Sequence, residues 1–367
     1  MEDALEPDWR TSIRLRTEKA RQSLTALKSI VGNGLIAVAA LAVSAIGAEF
    51  AVRALFPVYD PSGQVEFRRA TEGGPVLGVP NTRVRQRKNT GDFDVAIAFN
   101  KYGFRDDKDL AESTSVDVFV VGDSFTFGWG VEAKDRYSDR LQALTGVRTF
   151  NIATPGNFDD YGRLIRYATA KGARVGNLVI GVCMENDLMD YAAVQVPAAT
   201  GFTFELSSAK SFLSQNSALY GMATTAVHAT PALKNLAVSL GLITPNLEGI
   251  PKARYAERMI ESSVAKLREL AVGHRATILI IPSRGLWIGA FTGDADRIHR
   301  AFVDAVERAG FMVVDLRPLF EANREPLTFH FANDGHWNPR GHALAAQALA
   351  GAMAVRNRAS AGLELRH

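Results

Sequence analysis

Val116-Asp117-Val118-Phe119-Val120-Val121-Gly122-Asp123-Ser124-Phe125 decides the fold of this chain. The apolar run ending at Val121 is too short for a helix and stops at a glycine, so it predicts a strand buried on both faces. Parallel sheets are built from such strands. The pattern spans residues 116–121 and returns at 147–152, 178–183, 277–281 and 311–316, each time leading into a polar loop. Helical stretches alternate with these runs, which predicts a three-layer α/β/α fold around five parallel strands.

In an open parallel sheet, ligands bind beyond the carboxyl ends of the strands. The residues just past each run are therefore the ones to inspect. They are Gly122-Asp123-Ser124-Phe125, then Thr154-Pro155-Gly156-Asn157, then Glu185-Asn186-Asp187, then Ser283-Arg284. After the fifth run and a short segment comes Asn333-Asp334-Gly335-His336-Trp337-Asn338-Pro339. A serine, a glycine, an asparagine and an acid/histidine pair are thus expected on one rim of the sheet.

That set suits acyl transfer. A serine hydroxyl attacks a carbonyl well only when a base takes its proton, and His336 is the candidate base with Asp334 to orient it. The negative charge that develops on the carbonyl oxygen needs donors already in place. The backbone N–H groups of Ser124 and Gly156 and the side-chain amide of Asn186 are the candidates. Glycine at 156 lets backbone approach the substrate closely.

With these blocks in this order, the chain resembles the SGNH, or GDSL-type, hydrolase superfamily over residues 116–183 and 277–350. The resemblance implies a flavodoxin-like α/β/α domain, with Ser124 as nucleophile, His336 as base, Asp334 as its partner and the three oxyanion donors named above. Two departures stand out. The superfamily's usual acid lies three residues before the histidine, where this chain has Asn333, and Asp334 stands only two before. That spacing is similar to the alginate-acetyltransferase-like branch. The third block usually carries glycine two residues before the asparagine, where this chain has Met184.

Each of these residues also has a plainer role open to it. Ser124 could cap a helix, Asp123 could accept loop N–H groups, and Asn186 and Asp187 could shape a turn. Arg284 either binds a substrate carboxylate or pairs with a neighbouring acid. Arg105, in Asn100-Lys101-Tyr102-Gly103-Phe104-Arg105, is assigned to packing before substrate contact, and His342 to capping or the surface before catalysis. His330, His336 and His342 lack the close pairing of a zinc site, so no metal and no cofactor is expected.

The composition sets the remaining bounds. The 367 residues are 47% hydrophobic and 22% charged, enough for a full core. Forty-two basic and 39 acidic residues are intermixed, with no basic block to track a nucleic acid. The single cysteine, Cys183, excludes an internal disulfide. Residues 29–48 carry no charge, and as a helix they would span about 30 Å, the thickness of a bilayer's hydrocarbon core. Arg14, Arg16, Lys19, Arg21 and Lys28 precede this run and Arg53 follows it, so the amino terminus is placed in the cytoplasm. A cleaved signal peptide and a buried core helix are the alternatives.

The expected organisation is a cytoplasmic segment (1–28), a signal anchor (29–56), a linker with a small β extension (57–115), the SGNH domain (116–355) and a tail (356–367). A helical insertion is expected at about 190–275. The expected function is hydrolysis or transfer of short acyl groups, acetyl first, on an envelope or exported polysaccharide outside a bacterial-type inner membrane. Polysaccharide-export or biosynthesis proteins are the partners that this would imply. A lipase or thioesterase of the same fold is the runner-up. A silent polysaccharide-binding or scaffold subunit is the alternative from another class.

Overall fold

The computed structural model describes residues 9–61, 64–88, 90–188, 209–210, 212–240, 242, 257–289 and 291–364. Those residues form two compact units, one of 1–61 with 209–223 and one of 62–208 with 224–367. Much of the expected insertion, at 189–208 and 243–256, lies outside the described residues.

The first unit is dominated by the helix Trp9–Leu55. Its stretch Val31–Leu55 is long and apolar enough to cross a membrane, and Leu35, Ile36, Leu41 and Val43 are exposed along it. Where the uncharged run ends, polar contacts begin. Glu49 accepts hydrogen bonds from Ser217 Oγ at 2.7 Å, Ala218 N at 2.8 Å and Leu219 N at 3.0 Å. A carboxylate thus sits at the amino end of the helix Ala218–Ala229, where free N–H groups and the helix dipole favour negative charge. Arg53 pairs with Glu49 and Asp60 and donates to Asn216 O at 2.6 Å.

The second unit contains two hairpins and the main sheet. Strands β1 (Phe67–Arg69) and β2 (Val76–Gly78) pair antiparallel, as do β3 (Arg83–Arg87) and β4 (Asp94–Ala98). The main sheet consists of β5 (Val118–Val121), β6 (Thr149–Asn151), β7 (Asn177–Cys183), β8 (Arg275–Ile281) and β9 (Met312–Asp315). All five are parallel, in the order β6-β5-β7-β8-β9. The fold class expected from the apolar runs is the one observed.

Alternation along each strand separates two layers. Phe119, Val121, Leu178, Ile180, Val182, Ile278 and Ile280 face one core, shared with the helices Phe158–Ala170, Glu257–Leu270 and Thr292–Arg308. Val118, Val120, Val179, Cys183, Leu279 and Ile281 face the other, shared with Tyr137–Thr145 and Pro339–Glu364. Within the expected insertion, Glu257–Leu270 is therefore the ordinary crossover helix before β8, because Met259, Ile260, Val264, Leu267 and Leu270 all enter the first core. A third apolar cluster joins Phe93, Val95, Ile97 and Phe99 of the β4 region to Phe127 and Ala153 at the top of the sheet.

The strand order reverses between β5 and β7, the crevice where doubly wound sheets place ligands. Ser124 follows β5 and Asn186 follows β7.

Candidate active site

The loop after β5 that carries Ser124 is shaped by its neighbours. A Cβ on Gly122 would lie 2.2 Å from Thr126 Oγ1, so only glycine lets the chain turn this closely out of β5. The short helix Ser124–Phe127 is capped by Asp123, whose Oδ1 accepts from Phe125 N at 2.9 Å. Capping is thus the role of Asp123, and the Ser124 hydroxyl is left for other work. Asn151, buried at the end of β6, donates to Thr126 O at 2.8 Å and to Ser138 Oγ at 2.9 Å, tying the helix to the next strand.

Ser124, His336 and Asp334 stand in series. Ser124 Oγ–H donates to His336 Nε2 at 2.7 Å. On the other side of the ring, His336 Nδ1–H donates to Asp334 Oδ1, a tautomer assigned from the bonding network. The off-register acid reaches its partner because the loop is tight: the same Oδ1 also accepts the backbone N–H of His336 at 3.0 Å. Asn333, in the superfamily's usual acid position, turns away, and its N and Nδ2 donate to Asp92 Oδ1 at 3.0 and 3.4 Å. The His336 ring is held by aromatic neighbours, Phe125 at 5.0 Å and Trp129 stacked at 5.6 Å between centroids.

Burial alone would raise the Asp334 carboxyl. Hydrogen bonds and charge from His336 and Lys88 outweigh burial and hold it well below the usual carboxylate range. Lys88 is a residue that sequence reasoning missed. Its Nζ lies 2.9 Å from Asp334 Oδ2, although the two are far apart in sequence.

The proposed oxyanion donors come from three loops. The backbone N–H groups of Ser124 and Gly156 have no acceptor among the described residues. Gly156 precedes Asn157, which caps Phe158–Ala170 in a reciprocal box with Asp160. Asn186 is exposed, and its Nδ2 donates to Asp123 Oδ2 at 3.2 Å. Burial pushes the Asp123 carboxyl up, against the opposing influence of His336 and Asn186. The rest of the third block fixes this turn. Asp187 accepts from Tyr161 OH at 2.9 Å and from Cys183 N at 2.7 Å, and Glu185 accepts from Arg284 N at 2.7 Å, Nε at 2.9 Å and Nη2 at 2.8 Å.

Of the two roles open to Arg284, the structure shows the pairing one. Its guanidinium also lies over Gly335, where a Cβ would come within 2.6 Å of it, so Glu185, Arg284 and the His336 loop pack as one block. Burial would raise the Glu185 carboxyl, but Arg284 outweighs it and holds it low. Arg105 is only 2% exposed and donates to Gly128 O at 2.7 Å and Val131 O at 2.6 Å, which braces the loop carrying Trp129.

His342 is not at the surface. It is 1% exposed, and its Nδ1 accepts from Tyr137 N at 3.4 Å under the Trp337 ring. Burial drives the pKa of His342 down to about 3 and that of His330 down to about 4. Both are neutral when folded, whereas in the unfolded chain they gain a proton below about pH 6.5. The unfolded state then binds more protons, so stability falls as pH drops through this window, by up to about 1.4 kcal/mol per pH unit for each histidine. Melting temperature should fall steadily from pH 7 to 5. His330→Phe should flatten that fall, and an equally steep fall would contradict this origin.

Residues 273–365 match the family described as "SGNH hydrolase-like domain, acetyltransferase AlgX". No curated protein sequence matches the chain. Among solved structures, a putative G-D-S-L lipolytic protein from Desulfitobacterium hafniense is similar at 13% identity, covering 65% of this chain and 99% of its own, with a TM-score of 0.37. The lipase/acylhydrolase from Enterococcus faecalis gives 10%, 65%, 96% and 0.39 on the same measures. The catalytic domain of peptidoglycan O-acetyltransferase A from Streptococcus pneumoniae gives 12%, 66%, 94% and 0.35.

Proposed function

We propose that this chain is a member of the SGNH hydrolase superfamily, as the AlgX-like match over its final quarter supports, and that it is a membrane-anchored serine esterase or O-acyltransferase acting through an acyl-enzyme on Ser124. The observation that carries the proposal is the unbroken hydrogen-bond series from Ser124 through His336 to Asp334.

In this mechanism His336 Nε2 takes the serine proton as Oγ attacks the acyl carbonyl, and Asp334 stabilises the imidazolium that forms. The oxyanion is met by the N–H groups of Ser124 and Gly156 and by the Asn186 amide. Collapse expels the alcohol, which receives the proton from His336. A water, or a sugar hydroxyl in the transfer reaction, then gives its proton to His336 and attacks the acyl-serine, releasing the acyl group to the acceptor and the hydroxyl to Ser124.

The substrate we propose is an O-acetyl group on an envelope or exported polysaccharide, outside a bacterial-type inner membrane. Three features support this: the description of the matching family as an acetyltransferase, the apolar span at Val31–Leu55 and the basic residues on its amino-terminal side. Chain-length profiling with nitrophenyl esters tests it. Rates should be highest for acetyl and fall steeply toward octanoyl. A rise toward long chains would favour a lipase or thioesterase, and absence of turnover and of fluorophosphonate labelling would favour a silent binding subunit.

A further inference from the structure

The β3–β4 hairpin belongs to the segment that reads in sequence as a linker with a small β extension, and it makes three separate contacts with the loop that carries the acid. Lys88 Nζ donates to Asp334 Oδ2 at 2.9 Å. Asp92 Oδ1 accepts from Asn333 N at 3.0 Å. The Phe93 ring packs on Phe331 with centroids 5.1 Å apart. The hairpin end is itself closed by Lys88 N donating to Phe93 O at 3.0 Å. It also grips the other side of the site, because Gly130 N donates to Gln86 Oε1 at 2.9 Å, next to the Trp129 that stacks on His336.

The acid needs such help. Asp334 is 7% exposed, and Oδ1 is occupied by His336 through both Nδ1 and the backbone N–H. A buried carboxylate whose second oxygen had no donor would bear a desolvation cost and could rotate away from the imidazole. Lys88 fills that second position. We propose that Lys88 is a positioning residue for the serine site, extending the series Ser124–His336–Asp334 by a fourth member and making the β3–β4 hairpin the brace that fixes the acid. This rests on the serine mechanism proposed above.

The ammonium has an electrostatic consequence as well as a geometric one. It offsets part of the Asp334 charge that faces the imidazole. Other charges act on the same groups: Asp123 and His342 lie within electrostatic reach of His336, Arg284 of Asp334, and His228 of both Lys88 and Asp92. A substitution at 88 leaves all of them in place.

The test uses the full chain in detergent, with rates normalised to the serines titrated by a fluorophosphonate so that misfolded protein does not count. Lys88→Met should lower kcat/KM for nitrophenyl acetate about tenfold and move the acidic limb of its pH profile upward by about one unit, the scale of removing one charge near an imidazole. Lys88→Arg should restore most of both. A wild-type rate and limb in Lys88→Met would overturn the proposal, as would a lower rate with an unmoved limb and no rescue by arginine. Lys88→Gln gives the same comparison should the methionine variant fold poorly. Ser124→Ala separates the two levels: undiminished turnover in that protein removes the serine mechanism itself, whereas an inert Ser124→Ala beside an unaffected Lys88→Met removes Lys88 alone.

Discussion

Ser124→Ala is expected to lower kcat by about 10⁴- to 10⁶-fold, the range seen when a serine nucleophile acting with its base is deleted. The loss should be this large because, among the described residues, no hydroxyl other than Ser124 Oγ bonds His336 Nε2, and a base without a nucleophile leaves only binding and the oxyanion donors. Stability should scarcely change. The helix cap is Asp123 and the core contacts come from Phe125, Thr126 and Phe127, so removing the hydroxyl should alter the unfolding free energy by no more than about 0.5 kcal/mol. Ester hydrolysis by the purified chain, alongside a thermal melt, checks both halves. A variant that retains a tenth of wild-type activity would contradict the assignment.

Asp334→Asn should rank second, with a loss of about 10³- to 10⁴-fold in kcat. Asp334 Oδ1 receives the His336 Nδ1 proton and thereby presents Nε2 unprotonated to the serine. An amide nitrogen in that place would favour the wrong tautomer. Lys88 would also lose its carboxylate partner. The informative comparison is Asn333→Ala, which alters the residue in the superfamily's usual acid position. Since Asn333 is bonded to Asp92 and not to His336, its change should cost only about twofold. The reverse ranking, with Asn333 essential and Asp334 dispensable, would place the acid in the other register.

The main sheet was legible because its strands are buried on both faces. Residues 118–121 and 278–281 carry apolar side chains toward two cores at once, which leaves uninterrupted apolar runs that stand out in a single sequence. The candidate site was legible for a related reason: parallel strands all end on one rim, so residues scattered from 124 to 336 could be gathered by strand order alone. Glycine 122 and the short turn at Asp334-Gly335-His336 report backbone constraints that few other residues meet.

What was hidden shares one property, dependence on tertiary contact with no local pattern. Lys88 is an unremarkable cation in a short hairpin, and nothing near it in sequence points to Asp334. Arg284 gave two open choices because a salt bridge with Glu185 requires β7 and β8 to be adjacent, which only the register supplies. His342 was left between capping and the surface because a histidine after a glycine near a helix start suits either, and its burial depends on how the Pro339–Glu364 helix packs on Tyr137. The helix Glu257–Leu270 resembled part of an insertion because a long intervening segment separates it from β7. The Glu49 cap joins residues 168 to 170 positions apart.

In the proposed reaction Ser124 carries the acyl group between donor and acceptor. Rapid acid quenching of the chain during turnover of an acetyl ester, followed by peptide mass spectrometry, tests this most directly. An acetyl group is expected on the Ser124 hydroxyl, formed within the first turnover, discharged on standing and absent from Ser124→Ala. Acetylation confined to another residue, or undiminished turnover in Ser124→Ala with no acetyl-serine formed, would contradict it.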